Sequence, residues 1–95
     1  MDNKLLPDAE LLAVRALEWL STSPDMMVRF LAATGLAPED VAGMADGPEG
    51  LAAVLDFILS EDDLVLGLAE ALKIPPEHVV AARTQLPGGD LPHWT

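Results

Sequence analysis

Four sets of side chains in this sequence are of types that do chemistry: the acids Glu61, Asp62 and Asp63, the histidines His78 and His93, the serines Ser21, Ser23 and Ser60, and the aspartate Asp56. Three adjacent acids suggest a divalent-cation site. Consecutive helical residues point about 100° apart, however, so the three do not converge on one ion unaided. They also lack the alternating ligand pattern of an EF-hand. The triplet reads instead as the start of a helix, where the backbone dipole favours negative charge. The two histidines have no zinc-ligand spacing. Each serine has a capping position to fill, and no Gly-x-Ser-x-Gly elbow is present. Pro87-Gly88-Gly89 leads into a tail rather than a helix, so it makes no phosphate cradle. Cysteine is absent, which removes disulfide and thiolate chemistry. No catalytic residue, cofactor or metal ligand is expected, and the chain reads as a non-enzyme.

Asp56 is the one carboxylate set inside an apolar helical pattern, where aspartate has poor helix propensity. Three roles compete for it. It pairs with Arg29 or Arg83, or caps another helix; it is simply exposed; or it is a functional carboxylate with a raised pKa. Pairing in a buried setting would make its loss cost ~3 kcal/mol or more.

The elements that would position these groups are all helical. Residues 50–74 read as two apolar helices joined at the acidic hinge, with the rest of the chain covering them. Leu51, Val54, Leu55, Ile58 and Leu59 share one face with Phe57 on its flank, and Ala52, Ala53, Asp56 and Ser60 stand opposite. A helix greasy on one side and small on the other can be packed on both, which suits a central position. Ser60 is the expected cap of the second helix, with Asp63 three residues on, and Pro75-Pro76 ends it. Pro7-Asp8 opens a first helix running to about Leu20, with Leu12, Ala13, Ala16, Leu17 and Leu20 on its apolar face. Trp19 sits at the edge of that arc, where an indole can bury its body and keep its N–H bonded. Leu11 and Val14 are left on the outer side, either under another helix or as part of a contact surface. Ser23 and Pro24 start a second helix that Gly35 stops. A short third helix follows from Ala37-Pro38 to about Ala45. Pro76 and Glu77 open a last helix that ends at Pro87. No alternating strand pattern appears. The expected fold is all-α, a compact bundle of five to six short helices.

The chain has 95 residues, which is one domain on ordinary size priors. The expected organisation is a flexible N-terminus over 1–6, a helical domain over 7–86 and a C-terminal tail over 87–95. Hydrophobic residues make up 51% of the chain. No apolar run approaches the roughly 20 residues needed to span a membrane. The start, MDNKLLPDAE, has neither the basic beginning nor the apolar core of a signal peptide, so a cytoplasmic location is expected. Sixteen acids stand against five scattered bases, a net charge of −11. Nucleic acids and anionic membranes bind positive patches, and these bases assemble none. The acidity fits solubility, a basic partner, or mimicry of nucleic acid.

Met26 and Met27 could suggest an adaptable binding surface, but two methionines at a helix start are more often ordinary core and rim. The terminal Leu91-Pro92-His93-Trp94 is too short to form structure by itself. Trp94 either folds back between helices, serves as a partner-binding peptide, or stays disordered.

The order and spacing of Ala16-Leu17-Glu18-Trp19-Leu20, Arg29-Phe30-Leu31 with Thr34-Gly35, Leu51-Ala52-Ala53-Val54-Leu55-Asp56-Phe57 and Leu91-Pro92-His93-Trp94 resemble the small alphaproteobacterial proteins grouped as DUF3572. The resemblance covers nearly the whole chain, although each motif alone is unspecific. It implies a bacterial, cytoplasmic, small helical protein. The family is uncharacterised, so it supplies no activity and no catalytic or ligand residues to carry over.

The reading that follows is a non-enzymatic helical interaction module whose partner is another protein or a second copy of itself, with Leu11, Val14, Trp19, Asp56 and Trp94 as candidate interaction or structural residues. The alternatives are a small-ligand binder or enzyme centred on Asp56, which a buried Asp56 facing a cavity without an arginine partner would favour, and an acidic nucleic-acid mimic.

Overall fold

The structure, a computed structural model, describes residues 8–86. They form five α-helices: α1 (Ala9–Ser21), α2 (Pro24–Thr34), α3 (Pro48–Leu59), α4 (Asp62–Leu72) and α5 (Glu77–Thr84). Two 3-10 segments, Pro38–Asp40 and Ala42–Asp46, bridge α2 to α3. The described residues contain no strand. The all-α bundle expected from the sequence is the fold.

Local chemistry sets most boundaries. Asp8 caps α1, its carboxylate accepting the Leu11 N–H at 3.1 Å. Ser23 caps α2 in the same way, accepting from Met26 at 3.3 Å, and Pro24 takes the first helical position. Gly35 ends α2 in the left-handed region at φ 77°, and its N–H reaches the Leu31 carbonyl at 2.8 Å. All five helices carry an acid in the first turn: Glu10, Asp25, Glu49, the pair Asp62 and Asp63, and Glu77. Much of the negative charge is therefore placed where helix dipoles favour it.

Two boundaries differ from the sequence reading. Ser60 does not cap α4. Its backbone continues α3, and its hydroxyl donates back to the Phe57 carbonyl at 2.6 Å. Glu61 is the extended residue before α4, and its carboxylate is taken by Arg29 of α2 rather than by the helix start. The expected third helix is instead two 3-10 turns around Val41. Its first turn closes when the Asp40 carboxylate accepts the Ala37 N–H at 3.2 Å. Gly50 explains how tightly this segment meets α3. A Cβ there would lie 2.7 Å from the Met44 Cα, so only glycine admits the Met44 backbone.

The centre of the bundle is α3 packed on α1, and α2, α4 and α5 each lean on both. The sequence reading paired α3 with α4 as the organising stretch. The burial pattern explains the difference: α1 buries six residues, three of them alanines that let its backbone close on α3, whereas α4 buries only Leu64, Leu68 and Ala69. α3 itself buries Leu51, Ala52, Val54, Leu55, Phe57 and Ile58, so it is packed on both sides as its composition predicts. α2 is anchored by Phe30, fully buried and edge-on to Phe57 with ring centroids 5.2 Å apart. No polar or charged side chain is buried among the described residues.

Candidate functional site

Asp56 lies on α3 facing α5. Its two carboxylate oxygens accept from Arg83, Nε at 2.6 Å and Nη2 at 3.2 Å, in a bidentate fork. Arg83 also donates to the Leu86 carbonyl at 3.4 Å. Pairing with Arg83 is thus one of the roles the sequence allowed. The buried setting weighed for that pair is not present: the Asp56 side chain is 60% exposed, against 16% for Arg83. The geometry that an Asp56-centred active site called for, a buried carboxylate without an arginine partner, is not the geometry present. A shallow depression beside it, lined by Thr34, Ala53, Phe57 and Ser60, holds about 290 Å³.

The acidic triplet diverges as helical geometry requires. Glu61 pairs with Arg29, Asp63 stands 4.0 Å from the same guanidinium, and Asp62 points to the other side of α4. Among the described residues, no three His, Cys, Asp or Glu side chains are grouped as a metal site. No helix there is long and apolar enough to cross a membrane. His78 is half-buried in the first turn of α5. His93 and Trp94 lie outside the described residues.

The remaining sequence candidates separate. Trp19 is half-buried, its indole lying across α4 where Gly67 has no side chain; a Cβ there would come within 3.0 Å of the ring. Val14 packs against the core. Leu11 is half exposed and borders a hollow of about 200 Å³ with Leu72 and Ile74. The structure does not bring Leu11, Trp19 and Asp56 into one site.

A wider concave surface than these two lies elsewhere. α4 and α5 both pack on α1 and α3 without packing along one another, and a groove of about 780 Å³ opens between them. Leu59 at the end of α3 lines it. One wall is Asp62, Val65 and Leu66 of α4; the other is Glu77, Val80 and Ala81 of α5, with Pro76 before them. Both walls follow one pattern: an acid at the first helical position, then apolar residues three and four positions on, which places all three on one helix face. Leu66 is 58% exposed and Val80 51%. The Asp56–Arg83 fork sits one turn beyond Val80 and fastens α5 to α3 beside this groove.

Sequence reasoning missed Leu66 and Val80. A signal was present in the apolar runs Leu64-Val65-Leu66 and Val79-Val80-Ala81-Ala82. Three or four consecutive apolar residues span more of a helix than one buried face covers.

No curated protein and no solved structure matches the chain. A family model does, over residues 7–89, and it carries the description protein of unknown function (DUF3572). The match takes in all five helices and the groove between α4 and α5, and the chain belongs to the DUF3572 family.

Proposed function

We propose that this protein is a non-enzymatic helical interaction module and that the α4–α5 groove is the surface that engages a protein partner. The observation that carries the reading is the pair Leu66 and Val80, large apolar side chains left more than half exposed on the two walls of one groove. Scattered exposed apolar residues are normal, but residues gathered in a concavity and bordered by acids mark a contact surface. Helices spread on a common base take a further helix as the natural filling, because its apolar stripe completes the bundle.

Affinity capture from the host lysate tests this, comparing the native chain with the double variant Leu66→Ser and Val80→Ser. Both positions are exposed, so the variant keeps its fold and melts within a few degrees of the native chain. A stoichiometric protein retained by the native chain and lost by the variant supports the reading. Equal retention by both moves the contact away from the groove.

A further inference from the structure

The charge around this groove points to the chemistry of its occupant, an inference that rests on the groove being the interaction surface. Among the described residues, the charged side chains lining it are both acids: Asp62 on one wall and Glu77 on the other. Of the bases nearest in sequence, Lys73 ends α4 and does not line the groove, and Arg83 is paired with Asp56. The whole chain carries −11. We propose that the groove takes an amphipathic helix of a partner protein whose apolar stripe is flanked by lysine or arginine. Apolar side chains of that helix fill the space between Leu66 and Val80, and its flanking cations meet Asp62 and Glu77. Such flanking pairs set partner choice and encounter rate more than raw affinity.

The same charges argue against a second copy. In a two-fold dimer through this groove, each acid near the axis faces its own counterpart, so Asp62 and Glu77 of both copies crowd together. An anionic lipid surface meets the same repulsion.

A designed peptide series in solution with the full chain tests the inference. The first peptide carries leucines at i, i+3, i+4 and i+7 with lysines on both flanks. The second keeps that stripe with glutamates on the flanks, and the third keeps the lysine composition with the stripe scrambled. Binding is read by titration calorimetry at low and high salt. The lysine-flanked peptide is expected to bind about tenfold or more tighter than the glutamate-flanked one, with the margin shrinking as salt rises. The substitutions Asp62→Asn and Glu77→Gln narrow the margin, and Leu66→Ser with Val80→Ser removes binding. Val28→Ser leaves it unchanged, because Val28 is 66% exposed on α2 and outside the groove.

Equal affinity for the lysine- and glutamate-flanked peptides overturns the basic partner while leaving the groove as the interaction surface. Equal affinity for the scrambled peptide reduces the effect to bulk charge and overturns it as well. Binding that survives Leu66→Ser with Val80→Ser, or no binding of any peptide, removes both the basic partner and the groove. A dimer in sedimentation that dissolves on Leu66→Ser makes a second copy the occupant. Nuclear Overhauser contacts from Trp94 to Leu66 or Val80 in the free chain make its own C-terminal residues the occupant. Either result contradicts the basic partner.

Discussion

Leu66 of α4 and Val80 of α5 line opposite walls of one groove, and neither is covered by the other's helix. The cause lies in how the bundle is assembled. α1 and α3 form a tight central pair, and α4 and α5 are each packed mainly on that pair rather than along one another. Small residues on α1 close the centre, and the spread between α4 and α5 is left open. The same device that stabilises the core therefore creates the exposed apolar surface.

The Asp56–Arg83 fork holds one wall of that groove in place, and its solvent exposure limits its energetic weight. For a buried pair the loss of one partner costs ~3 kcal/mol or more. With Asp56 60% exposed, Asp56→Ala is expected to destabilise by only about 1 kcal/mol. Chemical denaturation gives the value, and added salt shrinks the difference between variant and native chain. A loss of ~3 kcal/mol would show the fork to be desolvated.

Lys73 is a second test of local chemistry. It ends α4 in the left-handed region at φ 59°, where its N–H meets the Glu70 carbonyl at 3.3 Å and the Ile74 N–H meets the Ala69 carbonyl at 3.0 Å. This is the pairing of a Schellman motif with lysine where glycine is usual. The left-handed conformation costs a residue with a Cβ about 1–2 kcal/mol. Glycine removes that cost but loses more backbone entropy on folding, about 0.5–1 kcal/mol. Lys73→Gly is expected to stabilise by about 0.5–1 kcal/mol net, and Lys73→Ala to change little. A thermal melt of the three chains decides it; a drop on Lys73→Gly would contradict the strain.

Gly50 gives the opposite sign. Alanine there gains helix propensity worth about 0.5–1 kcal/mol but drives a methyl group into the Met44 backbone. A backbone neighbour cannot rotate away as a side chain can, and overpacking of this kind costs about 1–3 kcal/mol. Gly50→Ala is expected to lower the melting temperature by several degrees. An unchanged or raised value would mean that the 3-10 segment yields freely.

The sequence and the fold agree most where chemistry is local. Ser23 with Pro24, Gly35, and the apolar faces of α1 and α3 were all legible, because caps, left-handed stops and helical periodicity need only neighbouring residues. Ser60 does not cap α4 because its backbone stays helical and its hydroxyl bonds back to Phe57, which leaves Glu61 as the residue before the helix. For Asp56 the sequence offered pairing and exposure as alternatives and could not show that both hold, since exposure depends on what lies beside α3. The groove was out of reach for the same reason. Periodicity says which residues share a face, whereas only the placement of α4 and α5 on α3 shows that Leu66 and Val80 share a concavity.

The most direct test of the central claim is site-specific photo-cross-linking in the host cell. A photoreactive phenylalanine analogue placed at Leu66 is compared with the same analogue at Val28, which is equally accessible but lies on α2 outside the groove. The account predicts one discrete adduct with another protein from position 66 and none from position 28. The same adduct from both positions, or from position 28 alone, would contradict the groove as the surface this protein uses.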